Sequence, residues 1–305
     1  MDTLPVETTS IDIKGKYIKV LPNLDRFHNL TTLNVSINNL TFLPKLPPSL
    51  IYLFCQSNKL TELPDLPRNL RELRCYFNQL TELPELPLSL QLLCCNNNLL
   101  INLPTLPHSL TNLNCEHNEL AVLPELPSNL KSLRVAENLL TFLPELPQTI
   151  DIISCECNYL SHLPELPDNL RYLYCYCNQL EELPVLPDSL CGLTCHNNLL
   201  TMLPLFNPYL LYLRFDRNPV THLLPRHYGA DIREDNRKLI DILSQIKTIH
   251  RFRHLFFSLK FKAQFRKILW EQVRLPKIEE RYHPRFLEIL QDDNERDLDE
   301  FLNKW

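Results

Sequence analysis

A period of 20 residues runs unbroken through most of this chain, and it leaves few folds open. Leu or Ile stands at 30, 50, 70 and every twentieth position to 210, and again from Leu33 to Leu213. Asn occupies every twentieth position from Asn38 to Asn218. A Leu-Pro pair recurs from 43–44 to 203–204, and a second from 46–47 to 186–187. Self-similarity at a short fixed period marks a solenoid, in which each unit buries its apolar face only by stacking on its neighbours.

Each column has a physical task. In Leu33-Asn34-Val35-Ser36, apolar and polar residues alternate with the period of a half-buried strand. Stacked copies of it make a parallel sheet. Asn38 falls where the chain turns away from that sheet. Its amide both donates and accepts, so a stack of such amides can satisfy the backbone groups that the turn leaves unpaired. Leu40, Leu43 and Leu46 recur at a spacing of three, that of polyproline II. This spacing points the leucines toward the core and sets Pro44 and Pro47 on the outer side, with no segment long enough for a helix.

Ile11, Ile13, Ile18 and Leu21 match Leu33, Val35, Leu40 and Leu43 at an offset of 22, with Lys16 in the place of Asn. Residues 10–29 thus read as a degenerate first repeat. The chain divides into an N-terminal cap at 1–29, repeats at 30–228 and a tail at 229–305, with eleven turns in all. Eleven strands span on the order of 50 Å. In the tail the period gives way to apolar spacings of three and four, as in Phe252, Phe256, Leu259 and Ala263, which predict helices.

The pattern LPELPxxLxxLxCxxNxL over about 30–220 resembles the short leucine-rich repeats of bacterial LPX-type effector proteins. That resemblance implies an α/β-class leucine-rich-repeat solenoid with a concave parallel β-sheet, an extended polyproline convex side and a small C-terminal helical tail. The run from Trp270 to Ile278, with Tyr282-His283-Pro284 and a closing Trp305, resembles a tail of proteins from giant DNA viruses, which encode similar repeat proteins. Some LPX-type effectors carry a ubiquitin-ligase domain with a catalytic cysteine. Here the 77-residue tail is too short for one and holds no Cys.

Composition removes other classes. The three glycines, Gly15, Gly192 and Gly229, are isolated, so no phosphate-cradling loop or dinucleotide fingerprint exists. Net charge is -5, with 15 basic and 22 acidic residues before 229 and 16 and 14 after it. Mildly acidic repeats argue against wrapping nucleic acid. The sequence shows neither a signal-peptide pattern nor a run of 18 apolar residues, which predicts a soluble intracellular protein, in host cytoplasm if the viral resemblance holds.

Eleven cysteines, an odd number with none beyond Cys195, fit no disulfide framework. Seven of them (Cys55, Cys75, Cys95, Cys115, Cys155, Cys175 and Cys195) share the inward slot of Val35 and Val135 and read as small core residues. Cys157 and Cys177, each two residues past a column cysteine, raise the possibility of a zinc site. Alternation sets the pair members at different depths, which favours packing. His250 and His254 lack the intervening Glu of a zinc-protease helix. We expect no catalytic residues, metal or cofactor.

The Lys247–Lys267 segment carries seven basic residues among five Phe and no acid. It can contact nucleic acid or an acidic membrane with the repeats as scaffold, or cap the last repeat. The seven acids of 288–300 can neutralise it in cis, and capping is the reading we adopt.

The outward columns at 32, 34 and 36, with 37 at the rim, offer the best site. Tyr52, Phe54, Arg74, Tyr76 and Phe77 gather toward one end, and Tyr172, Tyr174, Tyr176, Tyr212 and Arg214 toward the other. Between them lies a polar stretch with Arg134. Ser, Asn and Thr serve elsewhere in the same columns, so the repeat does not require these aromatics. Tyr and Arg dominate protein-interface hot spots, which predicts a protein partner. Cross-strand stacking that stabilises the sheet is the other reading, and both can hold.

Overall fold

The computed structural model describes residues 4–204 and 210–223. The tail at 229–305, with its expected helices, its basic segment and His250 and His254, lies outside the described residues.

Eleven three-residue strands follow the chain: β1 (Ser10–Asp12), β2 (Thr32–Asn34), β3 (Tyr52–Phe54), β4 (Glu72–Arg74), β5 (Leu92–Cys94), β6 (Asn112–Asn114), β7 (Ser132–Arg134), β8 (Ile152–Ser154), β9 (Tyr172–Tyr174), β10 (Gly192–Thr194) and β11 (Tyr212–Arg214). They form one parallel sheet in sequence order. Register advances by 20 residues per strand, as in Tyr52↔Glu72 and Tyr172↔Gly192. At the first pair it advances by 22, Ile11 facing Leu33. The convex side is extended, and the helix among the described residues is a 3-10 turn at Pro219–Leu223. Alternation holds as read: Leu33, Val35 and their equivalents are buried, while positions 32 and 34 face out.

The Asn column ties each turn to the one before. Asn138 Oδ1 accepts the Leu120 N–H at 3.0 Å, and its Nδ2 donates to the Cys115 and Val135 carbonyls at 3.0 and 3.1 Å. The same bonds recur down the stack to Asn218, where Oδ1 accepts from Leu200 N–H at 3.0 Å. The first turn has no Asn of its own, so Asn38 Oδ1 takes both the Lys16 and Ile18 N–H groups.

Three features were not in the sequence reading. The residue before each Asn, from Ile37 to Arg217, holds a left-handed backbone with φ between 52° and 55°. Gly15 fills that column in the first turn at φ 65°, but no glycine stands before any of the Asn residues, although a side chain there costs roughly 1–2 kcal/mol. A second ladder runs along position 49: Ser109 Oγ donates to the Leu88 and Leu90 carbonyls, and Thr149 Oγ1 to those of Ser128 and Leu130.

The third feature corrects an expectation. Pro47 and its equivalents Pro67, Pro87, Pro107, Pro127, Pro167 and Pro187 are buried rather than on the outer side. Each opens a tight turn, its carbonyl accepting from the residue three on, as Pro67 does from Leu70 at 3.0 Å. The turn folds the ring under the returning strand. Leu66, Leu86, Leu166 and Leu186 are correspondingly half-exposed.

The seven column cysteines are fully buried and all eleven cysteines are free thiols. Several thiols donate weakly to the next turn, as Cys155 Sγ does to the Tyr174 carbonyl at 3.4 Å.

Candidate binding face on the sheet

Because residues 33 and 35 of each turn point into the core, 32, 34 and 36 must project from the sheet, and the period stacks them in straight rows. What varies along a row is therefore free of the fold's demands.

At the N-terminal end, the Arg74 guanidinium lies 5.5 Å from the centre of the Phe54 ring while its Nε pairs with Glu72. Tyr76 and Phe77 meet edge to face at 5.8 Å. Tyr52 and Phe77 are exposed. Arg74 thus packs on Phe54 and is pinned by an acid on its own strand, while Tyr76 and Phe77 form a second pair.

In the middle, Ser154 Oγ donates to Glu156 Oε2 at 2.9 Å and to Glu116 Oε1 at 3.2 Å. Arg134 Nη1 stands 3.9 Å from Glu116. Burial pushes the Glu156 carboxyl above its ordinary value, the Ser154 hydrogen bond opposing it. Arg134 belongs to this acidic network and joins neither aromatic cluster.

At the C-terminal end the Tyr172 and Tyr174 rings run parallel, 6.5 Å apart. The Arg171 guanidinium sits 5.5 Å from the centre of Tyr172. Tyr176 stacks on His196 of the next turn at 4.4 Å. Tyr212 faces Gly192 in register, and Arg214 Nε donates to Asp216 Oδ1 at 2.8 Å. Five strand spacings separate β4 from β9, roughly 24 Å at 4.8 Å each, so the two clusters are distinct patches.

Sequence reasoning missed the strand between these aromatics. Gly192, Thr194 and His196 are all buried although they occupy outward slots. A Cβ on Gly192 would lie 2.9 Å from Tyr172 Cδ1, so the ring rests where a side chain would stand. Thr194 Oγ1 and His196 Nδ1 have no hydrogen-bond partner. A buried polar group left so costs about 1–3 kcal/mol. Burial holds the imidazole below its ordinary value, and Arg214 adds to that, so the ring is neutral at pH 7. The one available signal was Gly192, the single glycine in any of the eleven strands.

Cys157 and Cys177 are half-buried and stacked in adjacent turns, with Asn197 Nδ2 donating to Cys177 Sγ at 3.3 Å. No group of three metal-ligating side chains occurs among the described residues. None of their helices is long and apolar enough to cross a membrane.

A parallel sheet of identical short turns, an Asn ladder behind it and an outward face of variable residues define a leucine-rich-repeat solenoid, and the chain belongs with the leucine-rich-repeat proteins. Among solved structures, it is similar to YopM from Yersinia enterocolitica WA-314, at 34% identity over 70% of this chain and a TM-score of 0.50. It spans 56% of that protein's length, less than two thirds. The leucine-rich effector YopM from Yersinia pestis is 31% identical over 69% of this chain and 78% of its own, with a TM-score of 0.49. A chain of the octameric complex of Latrophilin 3, Unc5D and FLRT2, whose leucine-rich repeat is that of FLRT2, is 25% identical over 70% of this chain and 77% of its own, with a TM-score of 0.59. No protein-family model and no curated protein sequence matches the chain.

Proposed function

We propose that this protein is a non-enzymatic interaction module that binds a partner protein on its concave face. The observation that carries this reading is the run of Tyr172, Tyr174 and Tyr176 along β9 and the residues just past it, half-exposed at slots where the repeat accepts Ser, Asn or Thr. Half-exposed aromatic rings beside Arg214 are the surface from which interface hot spots are built. A structurally similar chain sits within a multiprotein complex, which fits the reading. Tyr52, Phe54, Arg74, Tyr76 and Phe77 form a second contact of the same kind, with Tyr212 at the edge of the first and Arg134 on the acidic stretch between. A viral protein engaging a host factor is the setting that the tail's sequence resemblance suggests.

The test is quantitative affinity capture from host extract with the wild type and a Tyr172/Tyr174/Tyr176→Ser variant. Loss of one or more captured proteins by about thirtyfold or more, from removal of at least one hot-spot side chain of about 2 kcal/mol, is the expected result. Equal recovery of every partner sinks the reading for this end of the face. Binding to DNA or anionic liposomes, unaffected by the tyrosines but abolished by deleting 229–305, would place the function in the tail.

A further inference from the structure

On β10 the outward side chains have almost vanished. Gly192 offers none, and Thr194 and His196 are 5% and 7% exposed. They alternate with the core residues Leu193 and Cys195, so both project toward the outer face and not into the core. The rows on either side are large: Tyr172, Tyr174 and Tyr176 on one turn, Tyr212, Arg214 and Asp216 on the other. The result is a trough one strand wide. Its floor carries two unpartnered polar atoms, Thr194 Oγ1 on β10 and His196 Nδ1 two residues on, just past the strand. Tyr172 and Tyr176 lean across it, one over Gly192 and the other flat on the imidazole.

Such a floor lacks a reason in the fold. The Asn and position-49 ladders satisfy the backbone of these turns, the His196 carbonyl included, and neither uses the side chain of Thr194 or His196. Val or Leu at either slot would seal the same space without leaving a polar atom buried and unpaired. The floor's chemistry also selects among occupants. A hydroxyl and a neutral imidazole nitrogen between them can donate and accept, but neither carries charge. The nearby cations share one acid: Arg214 donates to Asp216 at 2.8 Å and Arg217 Nε stands 4.0 Å from the same carboxylate. A carboxylate on the floor would meet no cation there, since both arginines are turned to Asp216, and an ammonium would meet no carboxylate left over. A carboxamide is neutral and both donates and accepts.

We propose that the β10 trough is a seat for an Asn or Gln side chain of the partner polypeptide, which bridges Thr194 Oγ1 and His196 Nδ1. The tyrosine rings swing aside to admit the chain and then pack along its backbone. This rests on the concave-face reading above and names the chemistry it recognises.

The probes are three capped tripeptides, acetyl-Ala-Asn-Ala-amide and its Asp and Leu counterparts, titrated into the full chain labelled with 15N-histidine. The His196 ring signals are assigned by their loss in His196→Gln. The Asn peptide is expected to move them saturably and to bind about tenfold more tightly than either counterpart, the factor for one well-made buried hydrogen-bond pair. In Thr194→Val, of nearly the same shape and with an unchanged circular dichroism spectrum, that preference disappears. Equal binding of the Leu peptide, a preference retained in Thr194→Val, or His196 signals that none of the three peptides moves overturns the inference. Tyrosine-dependent capture alongside one of these results leaves the concave-face reading standing. An Asn preference alongside tyrosine-independent capture does the reverse.

Discussion

The Tyr176 ring lies on the His196 imidazole with centroids 4.4 Å apart and planes 11° from parallel. Two turns of the solenoid meet there, and the stack keeps water from a ring that would otherwise titrate near 6.5. Burial is the larger cause of the lowered value and the neighbouring Arg214 charge the second. Truncation by Tyr176→Ser admits water, so the His196 midpoint moves up toward 6.5, as read by NMR titration. The sign for stability follows. A histidine held low stays neutral in the fold, so its contribution is complete above pH 6.5 and is lost as pH falls through its folded value. An unchanged midpoint in Tyr176→Ser would show that the stack contributes nothing to the shift.

The Asn ladder predicts a different kind of loss. Asn138→Ala strips partners from the Leu120 N–H and from the Cys115 and Val135 carbonyls, all in the interior. The expected destabilisation is about 1–3 kcal/mol, measured by urea unfolding. Asn138→Asp should cost more, because a carboxylate turns the donating nitrogen into an acceptor facing three carbonyls. Should Asp prove as stable as Asn at pH 7, the amide nitrogen's bonds are not what the column is kept for.

These two cases mark how far the sequence could be read. The Asn column, the leucines and the inward cysteines were legible because one residue type recurs wherever one chemical task recurs. The left-handed column was not, since Ile37, Ser57, Phe77, Asn97 and Glu137 share no chemistry. Their conformation belongs to the turn itself, since Gly15, followed by Lys16 in the first turn, shares it at φ 65°. Pro47 was misplaced for a related reason: a spacing of three gives a face for the leucines but does not reveal that Leu50 N–H bonds back to the proline carbonyl. On the binding face, tyrosines and arginines stood out as departures from their columns. Thr194 and His196 did not, because what distinguishes them is the absence of a partner, which depends on rings one turn away.

The left-handed column is itself open to test at Ser57, a small side chain at φ 55°. Asn adopts that conformation readily, whereas a β-branched residue, as Ile37 does, holds it only at a cost. Thermal unfolding should therefore rank Ser57→Asn above wild type and Ser57→Val below it, with a spread of about 1–2 kcal/mol. A Val variant as stable as the Asn one would mean the turn relaxes out of the left-handed region at little cost.

The buried thiols set the alkaline limit of the fold. Burial pushes the Cys55 thiol from 9.0 up to about 12, and it raises Cys75, Cys95, Cys115, Cys155, Cys175 and Cys195 as well. In the unfolded chain the same thiols ionise near 9.0. Above pH 9 the unfolded state sheds protons that the folded state keeps, so stability is complete below pH 9 and falls as pH climbs, for Cys55 until about 12. Each such thiol steepens the fall by about 1.4 kcal/mol per pH unit. Cys115→Val isolates one of them, in a slot that Val35 and Val135 already fill. The variant should match the wild type at pH 7 and lose stability more gently between pH 9.5 and 11 by about 1.4 kcal/mol per pH unit. The same slope in both proteins would mean that the thiol at 115 ionises within the fold, against the burial that keeps it neutral.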